Sequence, residues 1–320
     1  MECLLGQTFG DFEIVAVDDG STDGSADMLA DFAAQDARVR VLSGPHRGLV
    51  TALNSGLAAC RGALVARMDA DDRTDQERLE LQLEFLKAQP EIGVVGTLVR
   101  GLGLADAPLR DGMVRYIAWQ NDLVTPEAIT RARFIESPLV HPTILARRSV
   151  LQDAGGYRQG DFPEDYDLWL RLLDQGVRMA KVPRVLHTWR DHGGRATRVD
   201  PRYAHERFRA LKVAHLRRGP IGEGRPVVVW GAGKEGKLLL RAMREAGIEV
   251  PVVVEVDPRK MGNVIHGARV VAESDLDRVL AAQPGLVVLV AVGVPRARTL
   301  IGPALLRRGL VEGERFFFVC

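Results

Sequence analysis

Phe12-Glu13-Ile14-Val15-Ala16-Val17 followed by Asp18-Asp19-Gly20-Ser21-Thr22-Asp23-Gly24 decides the fold. An apolar run this short, closed by a polar turn, reads as a buried strand over 12–17. A helix over 25–35, a strand over 39–42, a helix over 49–59 and a strand over 63–68 are predicted next. Alternation of this kind predicts an α/β fold: a mostly parallel sheet with helices on both faces.

The pattern continues outward. Thr74 and Glu77, three residues apart, read as a capping box. Leu79, Leu83 and Leu86 give the following helix its apolar face, and Pro90 ends it. A strand follows over 93–99. Residues 100–140 carry little periodicity beyond a helix start at Thr125-Pro126. A further helix is expected from Pro163 to Gly176. Residues 201–224 are basic and read as a helical linker, punctuated by Gly219-Pro220 and Gly222-Glu223-Gly224. The βα pattern restarts at Arg225: strands over 227–230, 251–256, 286–292 and 315–319, helices over 234–246, 274–283 and 296–309. The expected division is therefore 1–200, a linker over 201–224, and a second α/β domain over 225–320.

Composition narrows the function classes. The formal net charge of +1 argues against a nucleic-acid partner. Cys3, Cys60 and Cys320 are too scattered for a disulfide framework, which suits a reducing, cytoplasmic compartment. No apolar run approaches the ~20 residues that span a bilayer. Arg195, Arg198, Arg202, Arg207, Arg209, Lys212, Arg217 and Arg218 outnumber the nearby acids. That run suits either a solvated linker or peripheral contact with anionic lipid at the inner face of a membrane.

Two acidic clusters fall at strand ends, where ligands bind in open α/β sheets. Asp18 and Asp19 close the strand over 12–17. Asp69, Asp71 and Asp72 close the strand over 63–68. An Asp-x-Asp in this position suits Mg²⁺ or Mn²⁺, which takes one or two carboxylates and completes its shell with phosphate and water oxygens. The alternative is a turn that uses Asp as a cap. In Pro163-Glu164-Asp165-Tyr166-Asp167-Leu168-Trp169-Leu170-Arg171-Leu172, helical spacing puts Asp165 on one face with Leu168, Trp169 and Leu172. Glu164, Asp167, Arg171 and Asp174 share the other. A carboxylate in the first turn, beside an apolar wall, suits a general base; it also suits a simple N-terminal charge.

Residues 13–25, Met68-Asp69-Ala70-Asp71-Asp72 and 163–171 together resemble, in order and spacing, family 2 glycosyltransferases of the GT-A fold. His46-Arg47-Gly48 with Asn54-Ser55-Gly56 resembles the donor-side helix start of that family. The resemblance covers about residues 1–200. It implies an inverting transfer from a nucleotide-diphosphate sugar to the hydroxyl of a saccharide or lipid-linked acceptor, in bacterial envelope polysaccharide or glycolipid synthesis. It implies Asp18, Asp19, Arg47, Asp69 and Arg190 at the donor, Asp71, Asp69 and His192 at the metal, and Asp165 as the catalytic base. His141-Pro142 resembles a loop near the acceptor, and Trp189-Arg190-Asp191-His192 a segment that closes over the diphosphate. The family opens with a strand and a helix before the equivalent of Glu13. Residues 1–9 resemble only the end of that helix, so the first strand is expected to be missing.

Gly231-Ala232-Gly233-Lys234-Glu235-Gly236 follows a strand and opens a helix, the setting in which G-x-G-x-x-G cradles a phosphate. Glu255 and Asp257 lie about 20 residues on, where an acid meets a ribose. The region resembles Rossmann-like modules, including the nucleotide-sugar-binding domains of bacterial sugar acyltransferases. It implies a site for NAD(P) or a nucleotide sugar at Gly231, Gly233, Gly236 and Asp257. The alternative for this module is a scaffold without a ligand; the alternative for the whole chain is a truncated, inactive transferase fold that acts as a nucleotide or nucleotide-sugar binding or scaffold protein through its C-terminal domain.

Overall fold

A computed structural model describes residues 1–103, 107–222 and 224–320; Glu223, part of the expected punctuation, lies outside them. The chain divides into two compact units, Met1–Ile129 with Pro138–Arg202, and Thr130–Ser137 with Tyr203–Cys320.

The first unit opens with β1 (Ile14–Asp18) and β2 (Val39–Ser43), a parallel pair forming a sheet of their own. Helices Ser25–Gln35 and Leu49–Ala59 follow those strands. A second sheet combines β3 (Leu64–Ala66), β4 (Arg73–Thr74), β5 (Ile92–Gly103), β6 (Leu145–Arg147) and β7 (Arg178–Asp191) in the order β3-β6-β5-β7-β4. Of its pairings only β5 with β7 is parallel. The expected mostly parallel sheet is thus a mixed one in this unit. Alternation implies one crossover helix per strand, but two helices, Asp111–Asp122 and Pro126–Ala132, lie between β5 and β6 and let the chain re-enter the sheet reversed. Thr125 Oγ1 accepts the Ala128 amide at 3.2 Å, as the expected helix start requires.

Apolar packing fixes this sheet. Ile92, Val95, Leu145, Ala180, Val182 and Leu186 close with Leu86 into one buried cluster, and Val99, Ile117, Val140 and Trp189 into another. The capping box does not form. The helix is Arg78–Ala88, and the Thr74 hydroxyl donates instead to the Leu186 carbonyl at 3.2 Å, because β4 pairs with β7 there.

The second unit is built on one six-stranded sheet. Its strands are β8 (Val227–Trp230), β9 (Val252–Glu255), β10 (Val264–Ile265), β11 (Ala268–Ala272), β12 (Val287–Val290) and β13 (Phe316–Phe318). The order is β10-β11-β9-β8-β12-β13, parallel except for the β10–β11 hairpin. Sequence patterning missed that hairpin, whose first strand is only two residues long. Helices Lys234–Glu245, Leu276–Ala282 and Pro295–Leu306 connect the parallel strands.

The expected linker is not one. Helix His205–Arg218 buries Leu211, Val213 and Leu216, and Lys212 donates to the Ile135 carbonyl at 2.6 Å. Thr130–Ser137 also belongs to this unit, where Phe134 meets Phe317 edge-on with centroids 5.8 Å apart. The excess of cations along 205–218 hid the apolar residues Leu211, Val213 and Leu216 among them. Several of its cations are engaged within the unit: Arg217 donates to the Ala246 carbonyl and Arg209 stands 3.7 Å from Glu235. Among the described residues no helix is long and apolar enough to cross a membrane.

Candidate active site

The carboxyl end of β1 carries a tightly organised turn. Asp18 is buried and its Oδ1 accepts the Ser21 amide at 3.1 Å. Gly20 takes φ +82°, and a Cβ there would stand 2.7 Å from the His46 nitrogen. Only glycine meets both demands. Asp19 reaches across to the next βα loop: its two oxygens accept the Arg47 and Gly48 amides, each at 2.8 Å. Those amides, then His46, hold the Asp19 carboxyl below the usual range. The two loops enclose an open cleft of about 540 Å³ lined by Val17, Asp19, Gly20 to Asp23, His46, Leu49 and Ala52. Arg47 is exposed beside it, and its side chain is not among the lining residues.

The second acidic cluster follows β3. Oxygens of Asp69, Asp71 and Asp72 lie within 4.8 Å of one another. Their surroundings divide their work. Asp72 is buried, with one oxygen 2.9 Å from His187 Nε2 and the other accepting the Arg190 amide at 2.8 Å. It therefore fastens the acid turn to the end of β7. Asp71 is half exposed and meets His192 Nε2 at 2.7 Å. Asp69 pairs with Arg67. An all-oxygen cluster with one imidazole at its edge fits a hard divalent cation. Asp71 and Asp69, whose partners are side chains able to turn away, are better placed to hold it than Asp72.

Helix Glu164–Asp174 presents Asp165 half-buried, while Tyr166, Leu168, Trp169, Leu170 and Leu172 are fully enclosed. On the polar face Glu164 and Asp167 are buried as well. Asp167 is held by Arg158 and by Arg171, whose Nε stands 2.7 Å from it, and Glu164 is 2% exposed. Compensation by arginines lets charge lie inside. Asp165 Oδ1 accepts the Tyr166 amide at 2.7 Å. Burial and then the neighbouring Glu164 charge push its carboxyl up to about 8, against the pull of Arg67.

Arg67 thus joins the two regions. It pairs with Asp69, and its charge is felt by Asp165, Glu164 and Tyr157. Tyr157 Oη lies 2.8 Å from His141 Nε2, and the His141 ring packs edge-on against Trp169 at 5.8 Å. Burial, then Arg67, keeps His141 neutral. Arg67, Tyr157 and His187 escaped the sequence reading. A cation two residues before an acidic turn is the one signal that pointed to any of them.

In the second unit Gly231 takes φ +118°, and a Cβ on Gly236 would fall 1.7 Å from the Gly231 carbonyl oxygen. Both glycines serve close packing, whereas around Gly233 the space is open. A cavity of about 580 Å³ lies beside this turn, lined by Gly231, Gly233, Lys234, Glu255, Lys260 and an apolar wall that includes Val292, Ala297 and Ile301. Of the two acids at ribose spacing, Glu255 lines it and Asp257 does not. Glu255 accepts the Ala232 amide at 3.0 Å and meets Lys260 Nζ at 2.9 Å. Asp257 turns outward and holds Arg259 at 2.9 Å, because it caps the short helix Pro258–Lys260.

Residues 1–155 match the model of the family described as glycosyl transferase family 2. The amylovoran biosynthesis glycosyltransferase AmsE of Erwinia amylovora is 33% identical over 187 residues, 58% of this chain and 67% of that protein. The chain belongs to this family. Among solved structures, S. aureus TarS 1-349 in complex with UDP-GlcNAc superposes with a TM-score of 0.54 at 17% identity, covering 76% of this chain and 66% of that one. The mannosyltransferase PcManGT from Pyrobaculum calidifontis, in complex with GDP-Man and Mn²⁺, gives 0.50 at 17% identity, covering 96% and 75%. These likenesses support the GT-A fold. The chain spans just under two thirds of the length of some curated relatives, 64% and 66% for two uncharacterized glycosyltransferases of Haemophilus influenzae.

Proposed function

We propose that the chain moves a sugar from a nucleotide-diphosphate donor to an acceptor hydroxyl with inversion, in bacterial polysaccharide or glycolipid assembly. The observation that carries this reading is Arg67, which pairs with Asp69 of the acidic cluster and whose charge reaches Asp165. Donors of this class are bound in both solved neighbours. The turn formed by Asp18 and Asp19, with Arg47, receives the nucleoside; Asp69 and Arg190 face its diphosphate. Asp71, Asp69 and His192 would hold Mg²⁺ or Mn²⁺, which when bound offsets charge on the departing diphosphate. Asp165 takes the acceptor proton as the acceptor oxygen bonds to the anomeric carbon. The bond from that carbon to the diphosphate oxygen breaks, and its electron pair leaves with the nucleotide diphosphate. The acceptor is a saccharide or a lipid-linked one, and a lipid-linked acceptor would hold the enzyme peripherally at a membrane during turnover. Calorimetric titration with UDP and GDP, with and without Mn²⁺, tests the donor site: metal-dependent binding lost in Asp71→Ala supports it, and binding indifferent to both sinks it.

A second reading concerns the Thr130–Ser137 and Tyr203–Cys320 unit. Its parallel order, reversing at β8, and the cavity at Gly233 support a Rossmann-like module that binds a nucleotide sugar or NAD(P). Ligand binding that survives Asp71→Ala and is lost in Gly233→Val would assign it there.

A further inference from the structure

Arg195 lies just beyond β7, and the site described above does not use it. Its guanidinium carbon stands 4.1 Å from the centroid of the Trp189 ring. That platform is firm, since Trp189 packs with Val99, Ile117 and Val140 and is 9% exposed. The anionic groups facing Arg195 are Asp72, Asp69, Asp71 and Asp191. Each is engaged elsewhere: Asp72 by His187 and the Arg190 amide, Asp71 by His192, Asp69 by Arg67, and Asp191 by Arg198. Arg195 Nη1 is buried and has no hydrogen-bond partner.

A buried donor without an acceptor is costly, so its presence calls for a reason. Stacking fixes the plane of the guanidinium and therefore the directions of its donors. The guanidinium feels the charge of a region of carboxylates, which a divalent cation would cancel. The group that suits an oriented guanidinium there is one that arrives with the cation and brings oxygens of its own. A diphosphate does both, and arginine matches phosphoryl oxygens in a forked geometry that lysine lacks.

Resting on the donor-site reading, we infer that Arg195 is a diphosphate-binding residue, held on Trp189 to donate to phosphoryl oxygens of the nucleotide donor. Trp189 is then a positioning residue that acts through it. The test is titration of the full chain in saturating Mn²⁺ with UDP, GDP, ADP and dTDP, and with the monophosphate of whichever binds. Wild type, Arg195→Ala, Arg195→Lys and Trp189→Leu are compared, with thermal melting as a control for folding. The expected result is that Arg195→Ala weakens the diphosphate about 10- to 100-fold, as loss of a charge-assisted hydrogen bond would, and weakens the monophosphate far less. Arg195→Lys recovers only part of the loss, and Trp189→Leu weakens the same ligand in the same direction. If wild type binds a nucleoside diphosphate in a metal-dependent way and Arg195→Ala binds it equally well, Arg195 has no such role. An equal loss for monophosphate and diphosphate likewise overturns it. Failure of wild type to bind any of the four, with Asp71→Ala indistinguishable, instead refutes the donor site on which the inference rests.

Discussion

β1 and β8 begin from the same kind of sequence, an apolar strand, a tight turn and a helix, and end in different circumstances. Val227, Val228, Val229 and Trp230 of β8 are all buried, with β9 on one side and β12 on the other. Ile14, Val15, Ala16 and Val17 of β1 are only half-buried, in a sheet of two strands. Their turns are opposites as well. At β1 carboxylates are satisfied by backbone amides, Asp18 by Ser21 and Asp19 by Arg47 and Gly48. At β8 a backbone amide, that of Ala232, is satisfied by a carboxylate, Glu255. A strand–turn–helix pattern therefore states where chemistry can sit. It leaves open how many neighbours the strand has and which partner supplies the charge.

The sharpest break is catalytic. If transfer belongs to the first unit, Asp165→Asn lowers the rate by about 10²- to 10⁴-fold, the range for loss of a general base, and leaves ligand binding in the second unit unchanged. A progress assay with a radiolabelled donor checks the first outcome and calorimetry the second. Next comes packing. Gly236→Ala places a carbon on the Gly231 carbonyl and is expected to cost about 3 kcal/mol or more, read as a fall in melting temperature. Gly233→Ala, with open space around it, should stay within about 0.5 kcal/mol of wild type.

The pH dependence follows. A carboxyl raised to about 8 must lose its proton to act as a base, so kcat/KM rises with pH and levels off above that value. Stability runs the other way. The folded pKa exceeds the ordinary 3.8, so the folded state holds the proton more tightly, and stability falls as pH rises from about 4 to about 8. Asp165→Asn should remove that decline, giving a melting temperature above wild type at pH 9. The smallest effect compares the strands directly. Val229→Ala should destabilise more than Val15→Ala, by about 1–2 kcal/mol, in paired denaturant titrations.

What the sequence made legible was whatever is local. Strand–turn–helix segments, the helix start at Thr125 and the acidic turns all depend on neighbours a few residues away. What it hid depends on distant partners. Reversal of β6 requires knowing where a three-residue strand re-enters a sheet. Asp72 looks equivalent to Asp71 in the chain, yet its bond to His187 spans 115 positions and makes it a fastener. Asp257 and Glu255 both stand at the right spacing for a ribose, and only the cap made by Asp257 separates them. Arg67 and Tyr157 were invisible because burial, not pattern, gives them meaning.

Phe134 against Phe317, and Lys212 on the Ile135 carbonyl, show that a short stretch near position 134 belongs with the last third of the chain. The two units are therefore not beads in series. A stop codon after residue 202 would take away Phe317 and Lys212 and leave Phe134 with nothing to bury it. A cut after residue 202 leaves the first unit carrying Thr130–Ser137, which belongs to the second, and leaves the second without it.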